Sequence, residues 1–331
     1  MGDEFYIRPD LREPFRGSSV PRVEPPALWS VGRPRRRWFN SPVFHCLLFL
    51  LTFLTTLIVG VHIALNYQRN FPAFDWDVSR AFFAGLLRNP ATLKLGLPFS
   101  LTLLSILLAH ELGHYFTCRY YGIRASYPYF IPAPTLIGTM GAFIRIKSPI
   151  TTRRALFDIG ISGPLAGFMV AIPALIMATL NSQALTPRHI SGSITLGNPL
   201  AITLLGKILR PGLNPGSISL HPVGCAAWVG LFATALNLLP MGQLDGGHIL
   251  FALLGERHRT VSRGLFLALV PLGVFCWVGW IVWAAILLVL GLRHPVVMIP
   301  SQPLDKVRKA LALLAALIFL LTFVPTPFAV G

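Results

Sequence analysis

Residues 95–118 read LGLPFSLTLLSILLAHELGHYFTC and contain one acidic residue, Glu111, and no lysine or arginine. About 20 apolar residues are enough for a helix to cross the hydrocarbon of a bilayer. The stretch therefore predicts a transmembrane helix. A carboxyl group inside such a helix is costly, so its presence there is a sign of function by default.

The rest of the chain repeats this apolar pattern. Of the 331 residues, 12% are charged and 54% are hydrophobic, with a mean hydropathy of +0.65, whereas soluble chains average about 25% charged residues. This apolar excess is too large for one buried core and predicts an all-α polytopic membrane protein. Uncharged runs predict about six transmembrane helices, at residues 43–65, 95–118, 159–187, 211–244, 264–292 and 310–331.

The basic residues predict how the chain is oriented in the membrane. The net charge of +16 comes from 28 basic and 12 acidic residues. With a cytoplasmic N-terminus, the inner segments hold 17 lysines and arginines and the outer segments hold 11, as the positive-inside rule favours. We interpret the basic charge as topology and contact with the anionic lipid bilayer, and we expect no binding of nucleic acid.

Residues 123–148, between the second and third predicted helices, contain three prolines and two glycines, which exclude a long helix. Near the end of this segment Ile144 and Ile146 alternate with Arg145 and Lys147, a pattern typical of a strand. The segment predicts a small re-entrant β-sheet that dips into the cytoplasmic face of the membrane.

The carboxylate in the second predicted helix belongs to the pattern His110-Glu111-Leu112-Gly113-His114. Histidines four residues apart lie on one helix face, so both imidazoles can bind one Zn²⁺ at about 2.0–2.1 Å. Glu111 lies close enough to take a proton from a zinc-bound water without binding the metal. The plainer interpretation, two packing histidines and a chance glutamate, leaves an isolated charge in hydrocarbon unexplained.

A catalytic zinc takes three protein ligands and keeps one position open, so a third ligand is required. Residues 237–248 read NLLPMGQLDGGH, and their proline and glycines break the fourth predicted helix at a depth where irregular backbone must be buried or line a wet cavity. Asp245 and His248 are the candidates. Asp245 is favoured because its charge and that of Glu111 together neutralise Zn²⁺, whereas His248 can face away from the break.

These residues resemble the site-2 protease family of intramembrane zinc metalloproteases, in its PDZ-free branch. The likeness covers about residues 95–255 and rests on HExxH, on NxxPxxxxDG from residue 237, on the small-residue run 163–167 and on the sheet segment 138–141. The resemblance implies that His110, His114 and Asp245 bind one Zn²⁺ per chain. It also implies that Glu111 is the catalytic base, and that Asn237 is a catalytic residue holding the substrate or the tetrahedral intermediate.

The resemblance further implies a partner and a location. The partner is a transmembrane protein substrate, cleaved within the lipid bilayer as in regulated intramembrane proteolysis. We expect a multi-pass protein of a bacterial plasma membrane, with the active site toward the cytoplasmic leaflet. The sequence predicts no particular oligomeric state.

Four segments organise the chain on this interpretation. Residues 1–42 form a polar cytoplasmic tail without the apolar run of a signal peptide, and residues 43–94 hold the first transmembrane helix and an outer loop. Residues 95–255 form the catalytic intramembrane metalloprotease core with its re-entrant sheet near the active site. Residues 256–331 hold two C-terminal transmembrane helices.

Other ionisable residues have plainer interpretations. Asp158, close to Arg153 and Arg154, is expected to be an interfacial acid at a helix start. The run 293–295, Arg-His-Pro, resembles a short motif of PDZ-free relatives, but it is predicted to lie outside, far from the zinc.

Two other functions fit parts of the pattern. A divalent-cation transporter would use the histidines and aspartate as a transit site, but it predicts polar residues at every depth of the bilayer. A proteolytically silent membrane chaperone is disfavoured because Glu111 is present. The ionisable residues of the helices gather at one depth, which favours an intramembrane zinc endopeptidase.

Overall fold

The computed structural model describes residues 38, 41–74, 85–86, 88–184, 194–212, 218–290 and 303–330. The described chain is mostly helical, as predicted. Its α-helices are α1 (Pro42–Gln68), α2 (Leu97–Tyr120), α3 (Arg153–Asn181), α4 (Leu200–Leu209), α5 (Pro222–Leu238), α6 (Asp245–Leu254), α7 (His258–Phe275), α8 (Gly279–Leu290) and α9 (Lys306–Thr322). Its short strands are β1 (Tyr129–Pro132), β2 (Thr139–Phe143), β3 (Gln183–Ala184), β4 (Ile194–Leu196), β5 (Ile218–Ser219) and β6 (Phe328–Val330).

Two predictions fall on parts of the chain that are not described. Most of the predicted polar tail, residues 1–37, and the Arg-His-Pro run at 293–295 lie outside the described residues. Residues from Trp38 to Gly331 form one compact unit. The boundaries proposed within it, at 42/43, 94/95 and 255/256, stay predictions.

Three described helices are long and apolar enough to cross a membrane: α1, the continuous run Pro90–Tyr120 that ends in α2, and α3. Large apolar side chains on their outer faces stay exposed, among them Leu50, Phe116 and Met169. Such exposure is unfavourable in water and expected in hydrocarbon. The helices predicted first, second and third along the chain are therefore present, and the fold is that of a helical membrane protein.

Helix ends follow from local sequence. The Ser41 hydroxyl accepts a hydrogen bond from the backbone N–H of Phe44 at 3.2 Å, and Pro42 occupies the first turn of α1. Thr152 caps α3 in the same way, accepting from the N–H of Ala155 at 3.2 Å. Both caps satisfy amides that a helix start leaves unpaired.

The fourth predicted helix, 211–244, is shorter than expected. α5 begins at Pro222, after strand β5, and ends at Leu238. The backbone is then irregular until α6 begins at Asp245. The predicted break around Pro240 is therefore confirmed, and it separates two helices instead of ending one.

The prediction of a single helix over residues 264–292 is wrong. Residues 276–278 form a turn between α7 and α8, and a Cβ added at Gly273 of α7 would lie 3.0 Å from the backbone nitrogen of Ile281 of α8. The two helices therefore fold back on each other. An uncharged run reports length and hydrophobicity but not direction, so a tight turn within it leaves no charge signal.

The last predicted helix, 310–331, is also corrected. α9 begins earlier, at Lys306, and ends at Thr322. Pro325 and Pro327 follow, and proline cannot continue a helix because its ring clashes and it lacks an N–H. Phe328–Val330 then form β6, which pairs antiparallel with β4.

A β-hairpin lies along α1. β1 and β2 pair antiparallel, and the ring of Tyr129 lies 4.2 Å, centroid to centroid, from that of His45. At the other end of the hairpin, the Thr55 hydroxyl donates to the carbonyl oxygen of Gly138 at 2.6 Å. His45 and Thr55 are about 15 Å apart along a helix, so the hairpin turn reaches the middle of α1.

The predicted strand position needs a correction within this hairpin. The strand β2 ends at Phe143, whereas alternation had placed a strand over 143–147. Residues 144–147 continue past it and pair with 124–126 through an isolated bridge between Ala125 and Ile146.

Gly138 at the turn has φ +82° and Gly141 within β2 has φ +96°, and this left-handed backbone at both positions favours glycine.

The ends of the helices show which segments share a side of the molecule. Arg308 in the first turn of α9 binds Asp158 in the second turn of α3, with Nε 2.8 Å from Oδ1. At the opposite ends, β4 follows α3 and pairs with β6, which follows α9. α3 and α9 therefore run in the same direction, and α9 starts beside the start of α3.

Candidate active site

His110 and His114 form the first part of the site on α2. Both are buried, and their Nε2 atoms lie 3.1 Å apart. Nδ1 of His114 lies 2.7 Å from the carbonyl oxygen of Ile159 on α3. Since a carbonyl only accepts, Nδ1 donates to it, and Nε2 of the neutral ring is the nitrogen that can bind a metal ion.

Asp245 completes the cluster from α6. As the first residue of that helix, it places Oδ2 3.2 Å from Nε2 of both histidines. The chain folds sharply to bring it there. A Cβ at Gly246 would overlap the carbonyl oxygen of Leu238, and one at Gly247 would lie 2.5 Å from the carbonyl oxygen of Gly242. Glycine is required at both positions because only it permits this backbone approach.

The spacing of these three atoms fits a metal ion. The ligand atoms of His110, His114 and Asp245 all lie within 4.8 Å of one another, and the three separations above are 3.1–3.2 Å. Ligand atoms around a tetrahedral zinc at about 2.0–2.1 Å are about 3.3–3.4 Å apart. Two imidazole nitrogens and one carboxylate oxygen at this spacing are thus suited to Zn²⁺.

Glu111 lies beside the cluster without joining it. Its side chain is buried and lines, with the three clustered residues, a cavity of about 220 Å³ that has room for several water molecules. The backbone N–H of Ile144 faces the Glu111 carboxylate. The carboxylate is therefore close to the cluster and to the chain that follows β2.

The other residues singled out from the break also line this cavity. Nδ2 of Asn237, at the end of α5, lies 3.3 Å from Nε2 of His110. His248 lies in the first turn of α6, where its N–H donates to the carbonyl oxygen of Leu244 at 3.0 Å. His248 is not part of the three-atom cluster among the described residues.

Glycines on α3 make room for the histidines, a role that the sequence did not reveal. A Cβ at Gly163 would overlap the His114 ring, and one at Gly167 would lie 3.3 Å from Cβ of His110. A Cβ at Gly160 would lie 3.0 Å from Cβ of His248 and 3.2 Å from the backbone oxygen of Asp245. The small-residue run was recognised as a packing segment, but the ring that each glycine faces depends on the packing of α3 against α2 and α6.

Asp158 has a different environment from the one expected. It lies in the second turn of α3 and accepts hydrogen bonds from Arg308 and from the hydroxyl of Tyr121. The interpretation as a simple helix-start acid is wrong, because the partner arginine comes from a distant helix. The six predicted helices, with a cytoplasmic N-terminus, place the start of the last helix on the opposite side of the membrane from the start of the third.

Fold and site together define a class of protein, a helical membrane protein with a His-His-Asp cluster suited to one metal ion. A sequence profile of Peptidase family M50 matches residues 98–278, more than half of the chain. The match includes α2, the hairpin, α3 and the break before α6. The chain belongs to peptidase family M50, and the resemblance to site-2 proteases is confirmed.

Similar proteins carry consistent names. "Probable zinc metalloprotease EGY2, chloroplastic" of Arabidopsis thaliana is 32% identical over 271 residues, which are 80% of this chain and 47% of that protein. The protein of the same name from Oryza sativa subsp. indica is 30% identical over 249 residues, 72% of this chain and 44% of that protein. "Probable zinc metalloprotease EGY1, chloroplastic" of Arabidopsis thaliana is 32% identical over 232 residues, 65% and 41% respectively. The chain spans less than half the length of these relatives.

Proposed function

We propose that this protein is an intramembrane zinc endopeptidase that cleaves transmembrane segments of other proteins. The observation that carries the proposal is the triangle of the buried His110 and His114 with the partly exposed Asp245, and the buried Glu111 beside it on a membrane-length helix. Membership of peptidase family M50 and the names of the relatives support the same activity. Neither the transporter nor the chaperone alternative gains support from the family match.

His110, His114 and Asp245 would hold the zinc. When bound, zinc supplies Lewis-acid chemistry, making water more acidic and polarising a carbonyl group. Glu111 accepts the proton from the attacking water and passes it to the leaving amine of the substrate. Its buried position beside the cavity keeps it within reach of both.

Asn237 would stabilise the developing negative charge on the substrate carbonyl. Its amide nitrogen lies 3.3 Å from a candidate ligand atom, Nε2 of His110, and it lines the cavity. An amide N–H fixed there can donate to an oxyanion without costly reorganisation. Backbone geometry at the end of α5 sets its position, because the helix ends at the next residue, Leu238.

The segment after β2 would hold the substrate as an added strand. The N–H groups of Arg145 and Lys147 point toward residues 124–126, since they donate to the Ser126 hydroxyl at 2.9 Å and to the Arg124 carbonyl at 2.7 Å. Successive residues of an extended chain point their N–H groups to opposite sides. The N–H of Ile146 therefore faces away from this pairing, on the side of the cavity that it lines. An extended substrate can pair along such an edge.

The position of the first turn of α9 supports a cytoplasmic N-terminus. With a cytoplasmic N-terminus, five predicted crossings place the segment with Lys306, Arg308 and Lys309 outside and the segment before the third predicted helix inside. In the structure, however, α9 starts beside the start of α3. Moving these basic residues to the inner count strengthens the positive-inside bias. We place the N-terminus and the hairpin on the cytoplasmic side, and α7 and α8 as a helical pair within the membrane.

A reporter fused after residue 309 should then behave as cytoplasmic, like one after residue 118, while one after residue 198 should lie on the far side. A far-side signal at 309 would refute this orientation. The bacterial plasma membrane remains a prediction, since the relatives above carry chloroplastic names.

Metal content and cleavage test the proposed function. Purified protein should contain one zinc per chain, and it should cleave a model transmembrane peptide in lipid vesicles. A chelator should abolish cleavage, and added zinc should restore it. Protein without zinc, or cleavage that persists in chelator, would refute the proposal.

A further inference from the structure

A cluster of polar side chains joins three helices near the start of α3. Arg308 of α9 binds the Asp158 carboxylate with two nitrogens, Nε at 2.8 Å and Nη2 at 2.5 Å. Tyr121, the residue after α2, donates its hydroxyl to the same carboxylate, and Arg308 donates to the Tyr121 oxygen at 3.3 Å. Asp305 binds the other side of the guanidinium. We call Asp158, Tyr121 and Arg308 the clamp.

The clamp is largely shielded from solvent and well satisfied. The side chains of Arg308 and Asp158 are 22% and 21% exposed. A two-pronged pairing of guanidinium and carboxylate fixes orientation as well as distance. Burial and the neighbouring Asp158 carboxylate raise the pKa of Tyr121 to about 12, so its hydroxyl stays protonated and remains a donor to Asp158.

The clamp holds a turn of α3 that contacts the candidate zinc ligands directly. Ile159, the residue after Asp158, offers the carbonyl oxygen that binds Nδ1 of His114 at 2.7 Å. Gly160 follows, and a Cβ added there would lie 3.2 Å from the backbone oxygen of Asp245. One turn of helix thus carries the clamp on one side and contacts to two of the three clustered residues on the other.

We propose that the clamp is a positioning device for the zinc site, in which Asp158 and Arg308 fix the turn of α3 that orients His114 and supports Asp245. This inference rests on the proposed function. Because α9 supplies Arg308, a helix outside the His-His-Asp cluster sets the geometry of the metal ligands. None of the clamp residues touches the reacting atoms.

Zinc affinity of the whole protein tests the clamp. Asp158→Asn keeps the shape of the side chain and removes its charge, and we expect about 10-fold weaker zinc binding, the lower end of what direct partners of metal-binding histidines show. The measurement is competition with a chromophoric chelator, well below the melting temperature, so that a purely structural loss of stability does not move it.

Asp305→Asn is the matched control. Asp305 binds the same guanidinium but lies at the start of α9, where it also caps the helix through the N–H of Arg308 at 2.9 Å. Asparagine caps helices equally well, so zinc affinity should stay at the wild-type value. Equal zinc affinity in Asp158→Asn and wild type, whatever the melting temperature, would refute the clamp.

Two further variants keep the test decisive. Arg308→Gln combined with Asp158→Asn should weaken zinc binding no more than the worse single change, because the effects of coupled partners are not additive. Additive losses would contradict the proposal.

Should Asp158→Asn fail to fold, Tyr121→Phe decides the question. We expect about threefold weaker zinc binding from one lost hydrogen bond, and unchanged zinc binding would count against the clamp. Absence of zinc from the wild-type protein would instead refute the proposed function.

Discussion

Replacing Gly163 with alanine tests whether packing against α3 sets the position of the His114 ring. A Cβ at residue 163 would lie 2.4 Å from Cε1 of His114 and 2.1 Å from Nε2. Carbon atoms pack at about 3.5–4.0 Å, so the ring must retreat by at least roughly 1.1 Å. Metal–ligand distances tolerate about 0.2 Å, and the Ile159 carbonyl restrains the ring at 2.7 Å. We therefore expect about 100-fold weaker zinc binding, the upper end for loss of a ligand's support.

The assay compares zinc dissociation constants of purified wild-type, Gly163→Ala and Gly167→Ala proteins, with melting curves to confirm folding. Gly167 is the matched control, since its added Cβ would lie 3.3 Å from Cβ of His110 and needs a shift of only a few tenths of an ångström. That variant should bind zinc nearly as tightly as wild type. Wild-type affinity in Gly163→Ala would refute the reasoning. Equal losses in both variants would show that helix spacing matters and ring contact does not.

Three further predictions concern individual roles. Glu111→Gln should retain zinc and lose at least ~10²-fold in cleavage rate, because an amide cannot accept the proton; near-normal cleavage would exclude Glu111 as the base. Asp245→Ala should lose zinc and activity together, whereas His248→Ala should retain measurable amounts of both, and metal analysis showing the reverse would exchange their roles. Ile146→Pro removes an N–H that faces the cavity side, so cleavage of a transmembrane peptide should fall while zinc content stays near one per chain; unchanged cleavage would leave the segment as a plug over the cavity.

The positions of residues within a single helix could be predicted from the sequence. His110 and His114 share a face because the helical repeat is a local property of the chain, and the structure shows their Nε2 atoms 3.1 Å apart. The break around Pro240 could be predicted for the same reason, since proline and glycine act on their own backbone. Bilayer thickness likewise sets the length of apolar runs, which predicted α1, α2 and α3.

Relations between distant segments could not be predicted in the same way. A membrane helix is apolar on most faces, so its hydrophobic pattern does not predict which helices it packs against or in which direction it crosses the membrane. The turn at 276–278 was missed for that reason. The early start of α9 was missed because its first turn is charged and the prediction used uncharged runs, and the pairing of Arg308 with Asp158 was missed with it. The clamp became visible only when three helix ends were placed together.

The sequence by itself determined the chemistry of this protein, a pair of histidines, a neighbouring carboxylate and a later aspartate in apolar surroundings. Tertiary structure decided how these groups meet. Asp245 lies 3.2 Å from both imidazoles because glycines at the break allow its backbone to fold tightly, and His114 fits because Gly163 leaves space for its ring. Such contacts depend on close packing between helices, a property of the folded chain that no local pattern records.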